Sequence, residues 1–179
     1  MSCAITKGRS IPCKSNVGGI KVVYLHTYDQ QVLELVPSAT GLITLPQDNS
    51  ADFFPYNVKG NSSLETTINS SRENGTTFYE STLNVTLQVL DIQTQEQIKL
   101  LAKDRPHVVV EDYNGEFFLL GKDHGCEVTG GTMVTGAAMG DLSGFTLVLT
   151  AQETAPPFFC AAKPATSDNN QIDPNAATA

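Results

Sequence analysis

Residues 62–90, SSLETTINSSRENGTTFYESTLNVTLQVL, decide the fold. Arg72-Glu73-Asn74-Gly75 sits at the centre. Asn-Gly is a strong hairpin signal because both residues tolerate the positive φ that a type I′ turn demands. After the turn, Tyr79, Leu83, Val85, Leu87 and Val89 recur at period two, with Ser81 as the exception on that face. Glu80, Thr82, Asn84, Thr86 and Gln88 form the opposite face. Before the turn, Leu64, Thr66, Ile68 and Ser70 alternate with Glu65, Thr67, Asn69 and Ser71. Strict alternation is the signature of a half-buried strand. Each arm runs to about a dozen residues, roughly twice the usual strand. Both faces turn polar near the tip, so the outer half has nothing with which to enter a core. The hairpin is expected to project and to meet another chain, since a long free edge aggregates unless something closes it. The alternative is a hairpin that curls back onto its own sandwich.

The surrounding chain is also β-rich. Residues 19–28, GIKVVYLHTY, are β-branched and aromatic and read as a strand. Apolar runs follow at 31–36 and 40–45. A further run at 53–58 contains Pro55, which removes a ladder donor and argues for an edge or a break. Val108-Val109-Val110, then Tyr113-Asn114-Gly115, then 117–120 read as a second Asn-Gly hairpin. Residues 121–140 are rich in Gly, Thr and Ala and read as short strands and loops. In 144–153, Phe145, Leu147 and Leu149 alternate with Thr146, Val148 and Thr150 as a last strand. One helix is expected near 94–105. Thr94 and Gln97 fit a capping box, Ile98, Leu101 and Ala102 give an apolar stripe, and Pro106 ends it.

These elements define a mainly β fold: a β-sandwich or barrel-like domain with one flanking α-helix and a long projecting β-hairpin. It spans residues 1–160, with an N-terminal arm at 1–18. From 161 to 179 the composition falls to Ala, Pro, Asn, Asp, Ser and Thr. Such a tail is disordered on its own, and a neighbouring copy in an assembly is its simplest holder.

Charge narrows the function. The 179 residues carry a formal net charge of −8 and only 17% charged residues. A basic footprint for gripping nucleic acid is absent. The charge is uneven: residues 1–28 hold Lys7, Arg9, Lys14 and Lys21 and no acid. A basic arm beside an acidic body could dock on a neighbouring copy, or stay solvated. The start of the chain lacks the apolar region of a secretory signal, and no run reaches the ~20 apolar residues of a membrane span. Assembly in a cytoplasm is therefore expected.

Catalytic patterns are missing. The four cysteines, Cys3, Cys13, Cys126 and Cys160, contain no C-x2-C pair. His124 and Cys126 could supply two metal ligands, against the plainer reading of a small buried thiol near a turn. His26 and His107 read as structural, and His124 has no base partner visible in sequence. Neither Gly130-Gly131 nor the stretch from Gly136 to Gly140 matches a phosphate-binding loop. Trp is absent, so a stacking platform for single strands is unsupported. The expectation is a non-enzymatic protein without cofactor or metal.

Three stretches resemble a known family: Gly8-Arg9 through Pro12-Cys13-Lys14 to Gly18-Gly19-Ile20-Lys21; Glu73 to Glu80 at the hairpin tip; and Gly140 to Leu149 with Glu153. Together they resemble tail tube proteins of long-tailed bacteriophages, in particular small structural proteins of phages infecting Bacteroidota. The resemblance covers most of residues 1–157 and leaves out the tail. It implies a virion protein assembled in the host cytoplasm. Hexameric rings would stack into a tube, joined by other phage tail proteins, with hairpins lining a channel for DNA ejection. DNA would pass without specific binding. The implied lumen residues are Glu65, Glu73, Glu80, Thr82, Asn84 and Thr86, and the inter-subunit arm would use Lys7, Arg9 and Lys14. The second pair of lining strands would come from 22–36 or from 125–134. Competing roles are another virion component (capsid decoration, neck or tail terminator) and a β-sandwich binding module.

Overall fold

The computed structural model describes residues 7–11, 13–29, 32, 34–47, 52–58, 60–166 and 172. Among these residues, ten strands form two sheets. The first is six-stranded, in the order β2-β10-β7-β6-β1-β3. Its members are β1 (Ile20–His26), β2 (Leu42–Ile43), β3 (Phe54–Asn57), β6 (His107–Asp112), β7 (Phe117–Leu120) and β10 (Phe158–Cys160). The second is four-stranded, in the order β4-β5-β9-β8. It contains β4 (Ser63–Ser71), β5 (Thr76–Gln88), β8 (Glu127–Val134) and β9 (Gly144–Glu153). One described helix, α1 (Ile92–Leu101), links β5 to β6.

The period-two pattern explains how the sheets face each other. Leu83, Val85 and Leu87 of β5 and Phe145, Leu147, Leu149 and Ala151 of β9 point inward. They meet Val23 and Leu25 of β1 and Val108 and Val110 of β6 in one core. Ser81, the polar interruption, is also buried and shares a 2.9 Å hydroxyl contact with Thr66 across the hairpin. That bond spares a buried hydroxyl the desolvation cost of having no partner.

The six-stranded sheet is covered on both faces. Val22, Tyr24, Val109 and Leu119 form a second cluster with Val32, Ile43, Leu45 and Phe53. This is why 107–111 is a continuous buried run without alternation. The apolar run at 31–36 lies partly outside the described residues. Of it, Val32 is buried and Leu35 packs on the cluster, and no described strand covers them. The run at 40–45 contributes β2. As Pro55 foretold, β3 is an edge strand.

The long hairpin is present but is less free than expected. β5 pairs with β9 from Tyr79–Glu153 to Gln88–Gly144. Only the tip, from Asn69 through the turn to Phe78, extends beyond β9 as a two-stranded ribbon. The turn also differs from a type I′ turn. The Ser71–Thr76 pair leaves four residues in the loop, and only Gly75 has positive φ, at 63°. Ser71 Oγ accepts from the Asn74 amide at 3.3 Å, which holds the wider loop. The β6–β7 turn has the same character, with Gly115 at φ 82° and Asn114 outside the left-handed region.

The helix begins earlier than the Thr94 capping box implies. Asp91 is the N-cap, and its Oδ1 accepts from the Thr94 amide at 2.7 Å. Thr94 is therefore inside the first turn, where it is buried. Ile98 and Leu101 pack on the sandwich core. Ile92 and Leu100 face out.

The start of the tail, residues 161–166, is held by its own chain, and the rest of the tail, for which a neighbouring copy was the expected holder, lies outside the described residues apart from Ile172. Ala161 N donates to Ile43 O, and Phe53 N donates to Ala165 O at 3.0 Å. Thr166 forms a parallel bridge with Phe53.

Candidate functional site

The outer face of the four-stranded sheet is the most distinctive surface. Register places its side chains in rows across three or four strands. One row runs Glu65–Thr82–Thr150–Glu127. Next to it, toward the tip, lies Thr67–Glu80–Gln152. On the other side are Ser63–Asn84–Val148–Gly130 and then Thr86–Thr146–Thr132. A bulge between Val128 and Gly130 admits Thr129. These four rows are polar or small except for Val148, the rows beyond them add Phe78 toward the tip and Val134 at the other end, and no Lys or Arg occurs in any of them.

Local chemistry ties the rows together. Gln152 Nε2 donates to Glu80 Oε1 at 3.0 Å. Thr129 and Thr150 share a 3.0 Å hydroxyl contact, and Thr132 and Thr146 one of 2.5 Å. Thr86 Oγ1 donates to Asn61 O at 3.2 Å. Cross-strand Thr pairs of this kind stabilise a sheet while leaving its face wet.

Of the residues named from sequence, Glu65, Glu80, Thr82, Asn84 and Thr86 share this face. Glu73 does not: it lies exposed in the turn at the hairpin tip. Lys7, Arg9 and Lys14 lie on the arm, which is exposed wherever described. The arm touches the body through a reciprocal pair near its end, Val17 N to Asn114 Oδ1 at 2.9 Å and Asn114 Nδ2 to Val17 O at 2.7 Å. Of the two alternatives for a second pair of strands, 125–134 supplies β8 to this sheet, whereas 22–36 supplies β1 to the other sheet. Sequence reasoning did not reach Glu127, Thr129, Thr132 and Gln152. Thr146 and Thr150 were visible as one face of a strand, but nothing local said which strands flank it.

Among the described residues, β4 and β8 are the outermost strands of this sheet and each has a strand partner on one side only. They run for nine and eight residues and contain neither Pro nor Lys, two common devices for blunting an edge.

Among the described residues, the histidines and cysteines gather into no group of three or more with Asp or Glu. His124 Nδ1 contacts Glu153 Oε2 at 3.0 Å, while Glu153 Oε1 accepts from the amides of Asp123 and His124. So His124 does have a carboxylate partner, one that caps a turn. Burial raises the Cys126 thiol pKa well above its ordinary value, and the Glu153 charge adds to that. A buried, protonated thiol is a poor metal ligand. No group of three or more His, Cys, Asp or Glu able to hold a metal occurs among the described residues. Comparisons with protein-family models, curated proteins and solved structures find no match.

Proposed function

We propose that this chain is a self-assembling structural protein, the subunit of a phage tail tube, and that its four-stranded sheet forms part of the channel wall. The observation that carries this is the pair of open edges flanking a polar face free of basic residues. Because neighbours in β4-β5-β9-β8 are all antiparallel, β4 and β8 run in opposite directions. The β8 edge of one copy can therefore pair antiparallel with the β4 edge of the next without reversing it. That contact is heterologous, so it closes into a ring where the rotation permits. Closure removes both edges at once.

A channel for DNA must not hold DNA. Lys and Arg on its wall would release phosphate counterions and bind tightly. The face instead offers Glu65, Glu80 and Glu127 among hydroxyls and amides. Hexameric rings and a virion location follow from the resemblance to tail tube proteins. The arm carrying Lys7, Arg9 and Lys14 would reach the acidic body of a copy in the next ring.

Negative-stain electron microscopy of the purified protein across a concentration series tests the reading. Hollow tubes or stacked rings are expected. Single rings that never stack would favour a tail terminator or neck role, and monomers at all concentrations would sink the tube.

A further inference from the structure

A cleft of about 1080 Å³ lies between α1 and β3. Its apolar lining includes Phe54, Tyr56, Leu87, Ile92 and Leu101, and Ile172 of the C-terminal tail also lines it. After Cys160, Ile172 is the only large apolar side chain in the sequence. A polar tail with a single apolar anchor, placed at an apolar cleft, is the pattern of a docked segment.

The approach to the cleft supports this. Val58 N donates to Lys21 O, toward β1, while Phe53 N donates to Ala165 O. Main-chain groups alternate sides along a strand, so the donor of Phe53 lies on the open side of β3. The tail arrives there in parallel register, through the Phe53–Thr166 bridge. From Thr166 to Ile172 the chain can span at most about 20 Å. The four residues of β3 all line the same cleft, about 13 Å of strand. Pro55 removes one donor on this side of β3, so side-chain burial has to supply the hold that a full ladder would provide.

We infer that the cleft between α1 and β3 is the docking site for Ile172 of the same chain. Docking there covers the open edge of the six-stranded sheet beside β3. It leaves β4 and β8 as the long edges available to another copy. The inference rests on the cleft and the tail, and is independent of the tube reading.

Hydrogen–deuterium exchange on the full chain, compared with Ile172→Asp and Ile172→Val, is the test. In Ile172→Asp, amides of β3 and α1 should exchange faster by about tenfold or more, while β5 and β9 keep their protection as the control for folding. Ile172→Val should behave like the parent. A synthetic peptide of residues 165–179, added to Ile172→Asp, should restore protection, and the same peptide carrying Asp should not. Parent-like exchange in Ile172→Asp would overturn the inference. So would protection in the parent that grows with protein concentration, because the anchor would then come from a second copy.

Discussion

The phenol of Tyr24 donates to Glu111 Oε2 at 2.6 Å within the six-stranded sheet. Lys21 Nζ lies 2.6 Å from the other carboxylate oxygen. Burial pushes the Glu111 carboxyl up, but the bonds from Lys21 and Tyr24 and the nearby lysine charges outweigh it, and the net direction is down. A carboxylate with a lowered folded pKa contributes stability above its unfolded pKa and loses it as pH falls through the folded value. Glu111→Gln should therefore destabilise by about 1–3 kcal/mol at neutral pH. The deficit should shrink on acidification below the usual carboxylate range. Urea unfolding at neutral and acid pH measures both effects.

His107 has the opposite pH logic to a surface histidine. It is fully buried, with Nδ1 2.6 Å from Gly121 O and Nε2 3.2 Å from Asp29 O. Tyr28 stacks on its ring at 4.8 Å and Arg105 lies over Tyr28. Burial lowers its pKa, and the two carbonyls oppose this without reversing it. The unfolded chain then binds the proton more readily, so this site loses stability as pH falls below about 6.5. The thermal midpoint should drop between pH 7.5 and 5.5. His107→Gln should show a smaller drop, and an equal one would remove His107 as the cause.

Gly144 pairs with Gln88 at the end of β9. A β-carbon there would be driven into the Leu87 carbonyl oxygen, which is backbone and cannot rotate away. Gly144→Ala should cost about 1–3 kcal/mol through overpacking. Gly140→Ala, with open space at its β-carbon, should be close to neutral. Paired denaturation curves check the contrast.

Placing Lys at both Glu80 and Asn84 should change stability by no more than about 0.5 kcal/mol each, since these are surface positions. On the tube reading, the same pair should give assembled tubes a salt-sensitive affinity for double-stranded DNA and should slow genome release. Unchanged ejection kinetics would count against a lumenal position for this face.

Much of this arrangement was legible residue by residue. The alternation of Leu83, Val85 and Leu87 against Thr82, Asn84 and Thr86 marked an inner and an outer face before any partner was known. Pro55 marked an edge or a break, and β3 is an edge. The unbroken Val108-Val109-Val110 run is the local trace of a sheet buried on both faces. Other features were ambiguous locally. Thr94 and Gln97 suited a capping box, yet the helix starts at Asp91, whose side chain accepts from the Thr94 amide. Asn74-Gly75 suited a two-residue turn, yet the pairing of Ser71 with Thr76 made the loop four residues long.

The sequence alone determined which side chains share a face, because period two is a property of each strand and needs no neighbour. Only the tertiary structure decided that β5 lies between β4 and β9 and that β4 and β8 are the outermost described strands of the sheet. Those outcomes depend on register between segments far apart in the chain and on how their apolar faces fit in one core. The same holds for Ile172, which the composition of a polar tail did not single out and which the structure puts among the residues lining the cleft between α1 and β3.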